Sequence, residues 1–399
     1  MGAPVRLLFV CGTRPEAIKL APLLLAARAH AGVEVALCVT AQHRAMLDSV
    51  LAFFGIVPEF DLDLMTPGQT LTTVTTGALA GLGPVMAAVR PDWVVVQGDT
   101  TTAFAAALAA FYAGVPVAHV EAGLRTGDVQ RPFPEEMNRR LLGAIATLHF
   151  APTAVAAGNL LREGVPRARV HVTGNTGIDA LYLVRARLHA EPACRDQACS
   201  ALACHGLAHF SAPQRPFVLV TAHRRESFGA GFDAICGAIA ELCARYAGVD
   251  FLFPVHPNPA VRGAVERHLA PLRASNLVLC GPLDYLPFVT LMLAAAVVLT
   301  DSGGVQEEAP SLGKPVVVMR ELTERTEGAA SGMVHLVGPD QSRIVGAVAA
   351  LLDAGAPTGT GGNFYGDGHA AARILAALVS AAACPPSPPS PPDRVKENA

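Results

Sequence analysis

From residue 4 onward the chain alternates short β-rich runs with helical stretches, and this rhythm restricts the fold more than any other feature of the sequence. VRLLFVCGT gives way to PEAIKLAPLLLAARA, VEVALCVTAQ follows, and WVVVQGDT later runs into TTAFAAALAAFYAG. Alternation of this kind requires parallel sheets with helices covering them. The first helix has a legible start: Thr13 stands three residues before Glu16 as a capping box, with Pro15 at the opening position. Ala17, Leu20, Ala21, Leu24 and Leu25 then fall on one face as its buried stripe.

The rhythm continues through PVAHVEAG, LHFAPT and RVHVTGN and breaks over residues 189–215, which are rich in Cys, Ala, His and Pro without a clear period. It resumes with FVLVTAHR, FLFPVHP, LVLCGPL, VVLTDSGG and KPVVVMR. The expected organisation is therefore α/β, with an N-terminal Rossmann-like domain over 1–188, a linker over 189–215 and a second Rossmann-like domain over 216–367. A late Ala-rich helix covers 368–383, and the Pro/Ser-rich tail 384–399 has the composition of extended, disordered chain.

A chain of 399 residues with 51% hydrophobic and 16% charged side chains can bury two cores. A net charge of -3 gives no electrostatic footprint for nucleic acid or an anionic membrane, so any bound anion is met locally. The first residues lack the basic, apolar and small-residue regions of a signal peptide, and Arg6 stands where a myristoylation motif needs Ser or Thr. No uninterrupted apolar run reaches the ~18 residues of a membrane span, so a cytoplasmic protein with no membrane partner is expected. Cys11, Cys38, Cys236, Cys243 and Cys280 sit in apolar segments as small core residues. Cys194, Cys199 and Cys204 with His205 and His209 lack the short Cys pair of most structural zinc sites, and no metal is expected.

In open parallel sheets ligands bind beyond the carboxyl ends of the strands, so polar residues just after strands carry the functional information. Arg14 follows the first strand, Gln42 and His43 the second, Asp99 the next and Glu121 the one after; His223, His256 and Ser302 hold equivalent places in the second half. The segment Leu299–Gly304 passes from a strand through Asp301, Ser302, Gly303 and Gly304 into a helix expected to open at Val305. Its free amides and dipole suit a diphosphate. Glu308 lies one turn beyond Gly304, where it can accept ribose hydroxyls. Arg14 and Lys19 begin a helix, an unfavourable place for cations unless an anion is near; Lys19 also fits an ordinary surface lysine.

Asp99, Glu121 and Glu135 supply carboxyl groups, and His223 is followed by Arg224 and Arg225, whose charges suit a departing anion. Each has a structural alternative: Asp99 as cap of the TTAFAAALAA helix, Glu121 paired with Arg125, Glu135 at a helix N-terminus.

GTRPEAIKLAPL, TAQHRAMLD, GDTTT, HVEAGLRTGD, PEEMNR, TGNTGIDAL, TAHRRESFG, PVHPNP and LTDSGGVQEEAPSLGKPVVVMR together resemble the bacterial non-hydrolysing UDP-N-acetylglucosamine 2-epimerases over residues 5 to about 382. The resemblance implies a glycosyltransferase B architecture, with two Rossmann-like domains whose parallel sheets face a central cleft. It also implies a final helix packing back on the first domain, and a homodimer. It assigns Asp99, Glu121, Glu135 and His223 to catalysis and Arg14, Lys19, Phe288, Ser302, Gly303, Gly304, Glu308 and Arg325 to the nucleotide sugar. Gln42, His43, Gln69 and His256 lie in motifs that hold a second, regulatory substrate molecule in some members. Thr326 departs from the pattern, which often has Pro.

The implied reaction interconverts UDP-N-acetylglucosamine and UDP-N-acetylmannosamine without a cofactor. UDP leaves, 2-acetamidoglucal forms, and UDP adds back, with Glu121 the preferred base. The product would supply cell-envelope polysaccharide. The rivals are a hydrolysing epimerase releasing N-acetylmannosamine and UDP, a glycosyltransferase of the same architecture, and a catalytically silent nucleotide-sugar sensor.

Overall fold

In the computed structural model the described residues are 3–40, 44–66, 68–325, 327–328, 332–355 and 364–383. They divide into two compact units, one of Met1–Gly123, Met137–Thr176 and His369–Ala399, the other of Leu124–Glu136 and Gly177–Gly368.

The first unit is built on β1 (Val5–Cys11), β2 (Val33–Val39), β3 (Phe60–Asp61), β4 (Trp93–Gln97), β5 (Val117–Val120), β6 (Leu148–Ala151) and β7 (Val170–Val172). All pair in parallel, in the order β3-β2-β1-β4-β5-β6-β7. Leu7 lies opposite Val35 on one side and Trp93 on the other. Leu7, Leu8, Phe9 and Val10 are fully buried. Parallel strands covered on both faces read as continuous apolar runs, and for that reason VRLLFVC and WVVVQ were legible. Five helices of this unit are α1 (Arg14–Arg28), α2 (Arg44–Phe54), α3 (Leu71–Val89), α4 (Thr101–Tyr112) and α6 (Ala154–Arg162); α5 (Glu135–Ile145) begins in the other unit's segment.

Helix α1 starts as its sequence dictates. Glu16 accepts from the Thr13 amide at 2.8 Å and the Thr13 hydroxyl at 2.7 Å, the carboxylate half of the capping box. Ala17, Leu20, Ala21 and Leu24 are fully buried; Leu25 is only half-buried, while Leu23 is fully buried, so the buried face is turned toward Leu23. Among the described residues one helix, α3, has the length and apolar composition of a membrane span. Its Val74, Ala78, Leu82, Val85 and Met86 are buried, three of them in a cluster with Ala103, Ala106 and Ala110 of α4, so that one face of the helix packs inward.

The second unit comprises α7 (Thr176–Ala190), α8 (Pro192–Cys204), β8 (Phe217–Thr221), α9 (Ala230–Arg245), β9 (Asp250–Pro254), α10 (Pro259–His268), β10 (Leu277–Cys280), α11 (Tyr285–Ala294), β11 (Val297–Thr300), α12 (Gly303–Ser311), β12 (Val316–Val318), β13 (Val334–Leu336) and α13 (Gln341–Asp353). Its parallel strands run β10-β9-β8-β11-β12-β13. Phe232, Phe251, Phe253, Val297 and Leu299 anchor its core. The last helix, α14 (Ala370–Ala383), belongs to the first unit and packs on α1.

The segment expected to be a linker, 189–215, is instead structured: α8 packs on α11, with Cys194, Ala198 and Leu202 buried. Those three recur every fourth residue, but Cys and Ala carry so weak an apolar signal that the stripe was hidden. The change of unit comes at Gly177, inside the domain expected to run to 188, because α7 clusters with the second unit. Helix α12 opens at Gly303 rather than Val305, which makes both glycines part of its first turn. The tail 384–399 and Thr326 lie outside the described residues.

In both sheets the strand order reverses beside the central strand, between β1 and β4 and between β8 and β11. At such a switch point the connections leave toward opposite faces and open a crevice at the carboxyl ends of the strands. Arg14 and Asp99 follow β1 and β4 on either side of the first such point, and His223 and Ser302 follow β8 and β11 at the second.

Candidate functional site

At the first unit's switch point the chain leaving β1 is drawn tight. A Cβ on Gly12 would stand 2.3 Å from Thr40 Oγ1 and 2.5 Å from Thr102 Oγ1, so only glycine fits. Glu16 is buried beneath it and accepts from the Gly12 amide at 3.1 Å and the Thr100 hydroxyl at 2.6 Å. Burial pushes the Glu16 carboxyl up, against the pull of those donors. Glu16 thereby ties the loop after β1 to the loop that carries Asp99.

Asp99 is not the cap of α4; that role belongs to Thr100, which accepts from the Ala103 amide at 3.0 Å. Asp99 Oδ2 instead receives Arg139 of α5, with Nε at 2.8 Å and Nη2 at 2.7 Å, while Asn138 donates to the Asp99 carbonyl at 2.9 Å. Glu121 sits with a left-handed backbone, φ 66°, directly after β5. Its ion pair is with Lys19, whose Nζ lies 2.6 and 2.7 Å from the two carboxylate oxygens, and Arg125 donates to its neighbour's carbonyl at 2.8 Å. Asn175 donates to Glu121 Oε1 at 3.0 Å, and Gln97 donates to Oε2. Three donors from α1, β4 and the loop after β7 thus aim one buried carboxylate. Lys19 is only 14% exposed, which removes the surface-lysine reading.

Arg14 is half-buried at the first position of α1, and Gln69 donates to the Leu64 carbonyl in the loop before α3. Gln42 and His43 lie outside the described residues.

In the second unit Glu135 opens α5, so its helix-terminus alternative describes where it stands. The adjacent Glu136 accepts from the amides of Thr126 at 3.1 Å and Gly127 at 3.2 Å, closing the loop in front of the helix. At the switch point of this sheet, His223 follows β8 and stacks on His256 from the end of β9, rings 5.4 Å apart and inclined by 21°. The structure therefore joins two histidines that the sequence had put in separate sets. Arg224 Nε is buried and makes no hydrogen bond among the described residues, a donor suited to an anion.

Ser302 is the N-cap of α12 and Gly303 and Gly304 open it. The first amides of a helix have no internal acceptor and favour negative charge. A Cβ on Gly303 would lie 2.8 Å from Arg325 Nη1, so the absent side chain lets the guanidinium come up to this turn. Arg325 Nε donates to Glu307 at 2.6 Å and its Nη1 pairs with Glu324. Glu324 also pairs with Arg320 at 3.3 Å, and Arg320 Nε reaches Glu226 at 2.6 Å. Five alternating charges thus run from the loop after His223 to α12. Glu308 Oε1 lies 3.5 Å from the Tyr285 hydroxyl, and burial together with the Glu308 charge holds that phenol well above its ordinary range. Phe288 stands one turn along α11 from Tyr285, half-buried.

Gln97, Arg139, Asn175, Tyr285, Glu307 and Glu324 were missed in the sequence. A signal existed for two: Gln97 opens QGDTTT and Asn175 sits in TGNTG, both at strand ends. The others lie on helices or loops that declare no partner until the chain folds.

The family model for UDP-N-acetylglucosamine 2-epimerase matches residues 25–379. The UDP-N-acetylglucosamine 2-epimerase of Salmonella typhimurium is 52% identical over 379 residues, covering 94% of this chain and 99% of the relative. The crystal structure of the Neisseria meningitidis UDP-GlcNAc 2-epimerase bound to UDP-GlcNAc is similar with a TM-score of 0.88 at 43% identity, covering 94% of this chain and all of that one (100%). That of Methanocaldococcus jannaschii, in complex with UDP-GlcNAc and UDP, gives 0.81 at 31% identity, again with 94% and 100% covered. The two parallel-sheet α/β units are of the glycosyltransferase B type, like those neighbours.

Proposed function

This chain belongs to the UDP-N-acetylglucosamine 2-epimerase family and acts as an epimerase at C2 of a UDP-linked N-acetylhexosamine, and we propose that it does so by eliminating and restoring UDP. The C2 hydrogen is not acidic while the anomeric bond is intact. As the C1–oxygen bond lengthens, positive character at C1 acidifies it. A base removes the C2 proton, the C1–oxygen electron pair leaves with UDP, and 2-acetamidoglucal results. Protonation of C2 on the opposite face, with return of the phosphate oxygen to C1, gives the epimer, UDP-N-acetylmannosamine.

The observation that carries this reading is the turn Ser302–Gly303–Gly304 at a strand-order switch point, with Arg325 held against it by buried carboxylates. Amides and a fixed cation stabilise charge as it develops on a leaving diphosphate. We assign Arg14, Lys19, Phe288, Ser302, Gly303, Gly304, Glu308 and Arg325 to the nucleotide sugar, and the proton transfers to Asp99, Glu121, Glu135 and His223. Glu121 already accepts on both oxygens. As a base it has to exchange one of those donors for the C2 hydrogen, and Lys19 is the mobile partner.

Incubation with UDP-N-acetylglucosamine in deuterated water, followed by NMR, tests the scheme. Deuterium at C2 in both epimers is expected. Free N-acetylmannosamine would point to the hydrolysing route, and unexchanged starting sugar would end the proposal.

We further propose that the reaction runs in the cytoplasm, where the buried thiols of Cys11, Cys38, Cys236 and Cys243 stay reduced, and that its product feeds cell-envelope polysaccharide. The homodimer is proposed on the same footing. Phe111 and Tyr112, 58% and 72% exposed at the end of α4, are the apolar surface that supports it. Sedimentation velocity of the wild type and of Phe111→Glu tests it: a dimer that the charge dissociates is expected, and a monomeric wild type would refute it.

A further inference from the structure

At the second switch point β8 and β11 lie side by side in parallel register, with Val220 opposite Leu299 and Thr221 opposite Thr300. The residue after Thr300 is therefore carried directly against the residues after Thr221. That residue is Asp301, whose side chain is entirely buried (0% exposed). Its Oδ2 accepts from the backbone amides of His223 at 2.7 Å and Arg224 at 2.8 Å. Its Oδ1 is also buried and forms no hydrogen bond among the described residues, yet lies 3.3 Å from His223 Nδ1. The His223 ring is 34% exposed and stacks on His256.

We propose that Asp301 is a positioning residue for His223: the buried carboxylate holds the Nδ1 edge of the imidazole and thereby makes Nε2 the atom that exchanges protons with the substrate. This deepens the proposed function and rests on its assignment of His223 to the proton transfers. The argument is one of valence. A neutral imidazole carries one N–H, and a carboxylate 3.3 Å from Nδ1 draws that hydrogen to Nδ1, which makes Nε2 the unprotonated nitrogen. When Nε2 takes up a proton, the ring becomes a cation, and Asp301 meets it with an opposite charge that water does not screen. Two backbone donors on Oδ2 fix the carboxylate, so Oδ1 cannot swing away from the ring. His256 from the end of β9 stacks on the ring, and Arg224 and Arg225 follow His223 directly in the chain. The arginines oppose a second cation there, which makes the buried carboxylate the group that permits one. A staple for the loop would need only Oδ2.

Asp301→Asn separates the two roles, because an amide oxygen still accepts both backbone amides while the amide nitrogen, turned toward Nδ1, forces the hydrogen onto Nε2. The expected result is a fall in kcat of about 10² to 10⁴ fold with KM and the Kd for UDP within threefold. His223→Asn should lose about as much, and the double variant no more than His223→Asn alone, since Asp301 acts through the ring. A kcat for Asp301→Asn within threefold of wild type would overturn the proposal, as would a double variant much slower than His223→Asn. Nitrogen-15 NMR of the wild-type His223 ring tests it without any variant: the neutral ring should carry its hydrogen on Nδ1, and a hydrogen on Nε2 would refute the proposal even if Asp301→Asn failed to fold. Deuterium incorporation by the wild type is the control for the function itself. Its failure would remove the epimerase scheme while the ring tautomer still tested the contact between Asp301 and His223.

Discussion

Glu121 holds a conformation that non-glycine residues adopt at a cost of about 1–2 kcal/mol, with φ 66° immediately after β5. Its three donors oppose that cost and aim the carboxylate. Glu121→Gln leaves one oxygen to serve Lys19 and puts an amide nitrogen against a cation or against the donor of Gln97. C2 exchange should fall by about 10² to 10⁴ fold, and Asp99→Asn, which breaks the Arg139 pair, should act similarly. UDP affinity should stay within threefold in both, measured by calorimetry beside the NMR assay, and near-normal exchange would exclude an essential role. Gly303→Ala works in the opposite sense. Its Cβ would stand 2.8 Å from Arg325 Nη1, and that guanidinium cannot retreat because Glu307 and Glu324 hold it. UDP should bind about tenfold more weakly, ~1.4 kcal/mol, and the overpacked turn should also lower the melting temperature; unaltered affinity would detach Arg325 from the diphosphate.

At the scale of elements, the legible parts were those whose signal is local. Apolar runs such as VRLLFVC and VVLT declare buried parallel strands, and Thr13 with Glu16 declares a helix start, because each depends on residues within one turn or one strand. Edge strands β3 and β13, two and three residues long, carry too few side chains to show a period. The charges of RELTER at 320–325 gave no hint of partners, since Arg320, Glu324 and Arg325 are joined to Glu226 and Glu307 only through the tertiary fold. That chain links the loop after β8, the loop after β12 and helix α12. Breaking a buried pair on one side is costly because the remaining charge stays desolvated. Arg320→Met should destabilise the second unit by about 3–5 kcal/mol, and adding Glu324→Leu should return part of the loss at the level of folding while still weakening UDP binding through Arg325. Denaturant titrations of the single and double variants check this, and additive losses would mean that Arg320 and Glu324 do not act as a pair.

For the whole molecule, the order of elements in the chain and the membership of units differ, and that difference is what the sequence rhythm could not convey. Helix α14 comes after the entire second unit yet clusters with the first, packing on α1, with Ala370, Ile374 and Leu378 fully buried. Helix α7 begins at Thr176, one short loop after β7, yet from Gly177 onward belongs to the second unit. A chain threaded in this way should couple its last helix to the stability of the first unit while leaving the second unit's ligand response intact. Ile374→Ala and Leu378→Ala each remove buried apolar volume at a cost of about 2–5 kcal/mol, a large share of a typical domain's stability. In the double variant, amide hydrogen exchange should quicken in α1 and β1, whereas β8 and β11 keep their protection. UDP at 100 times its Kd should still stabilise the second unit by ~2.7 kcal/mol, as mass action requires of any ligand confined to the folded form. Exchange that quickened equally in both sheets would mean that the two units unfold as one, and exchange unchanged in α1 would mean that α14 contributes nothing to the first unit.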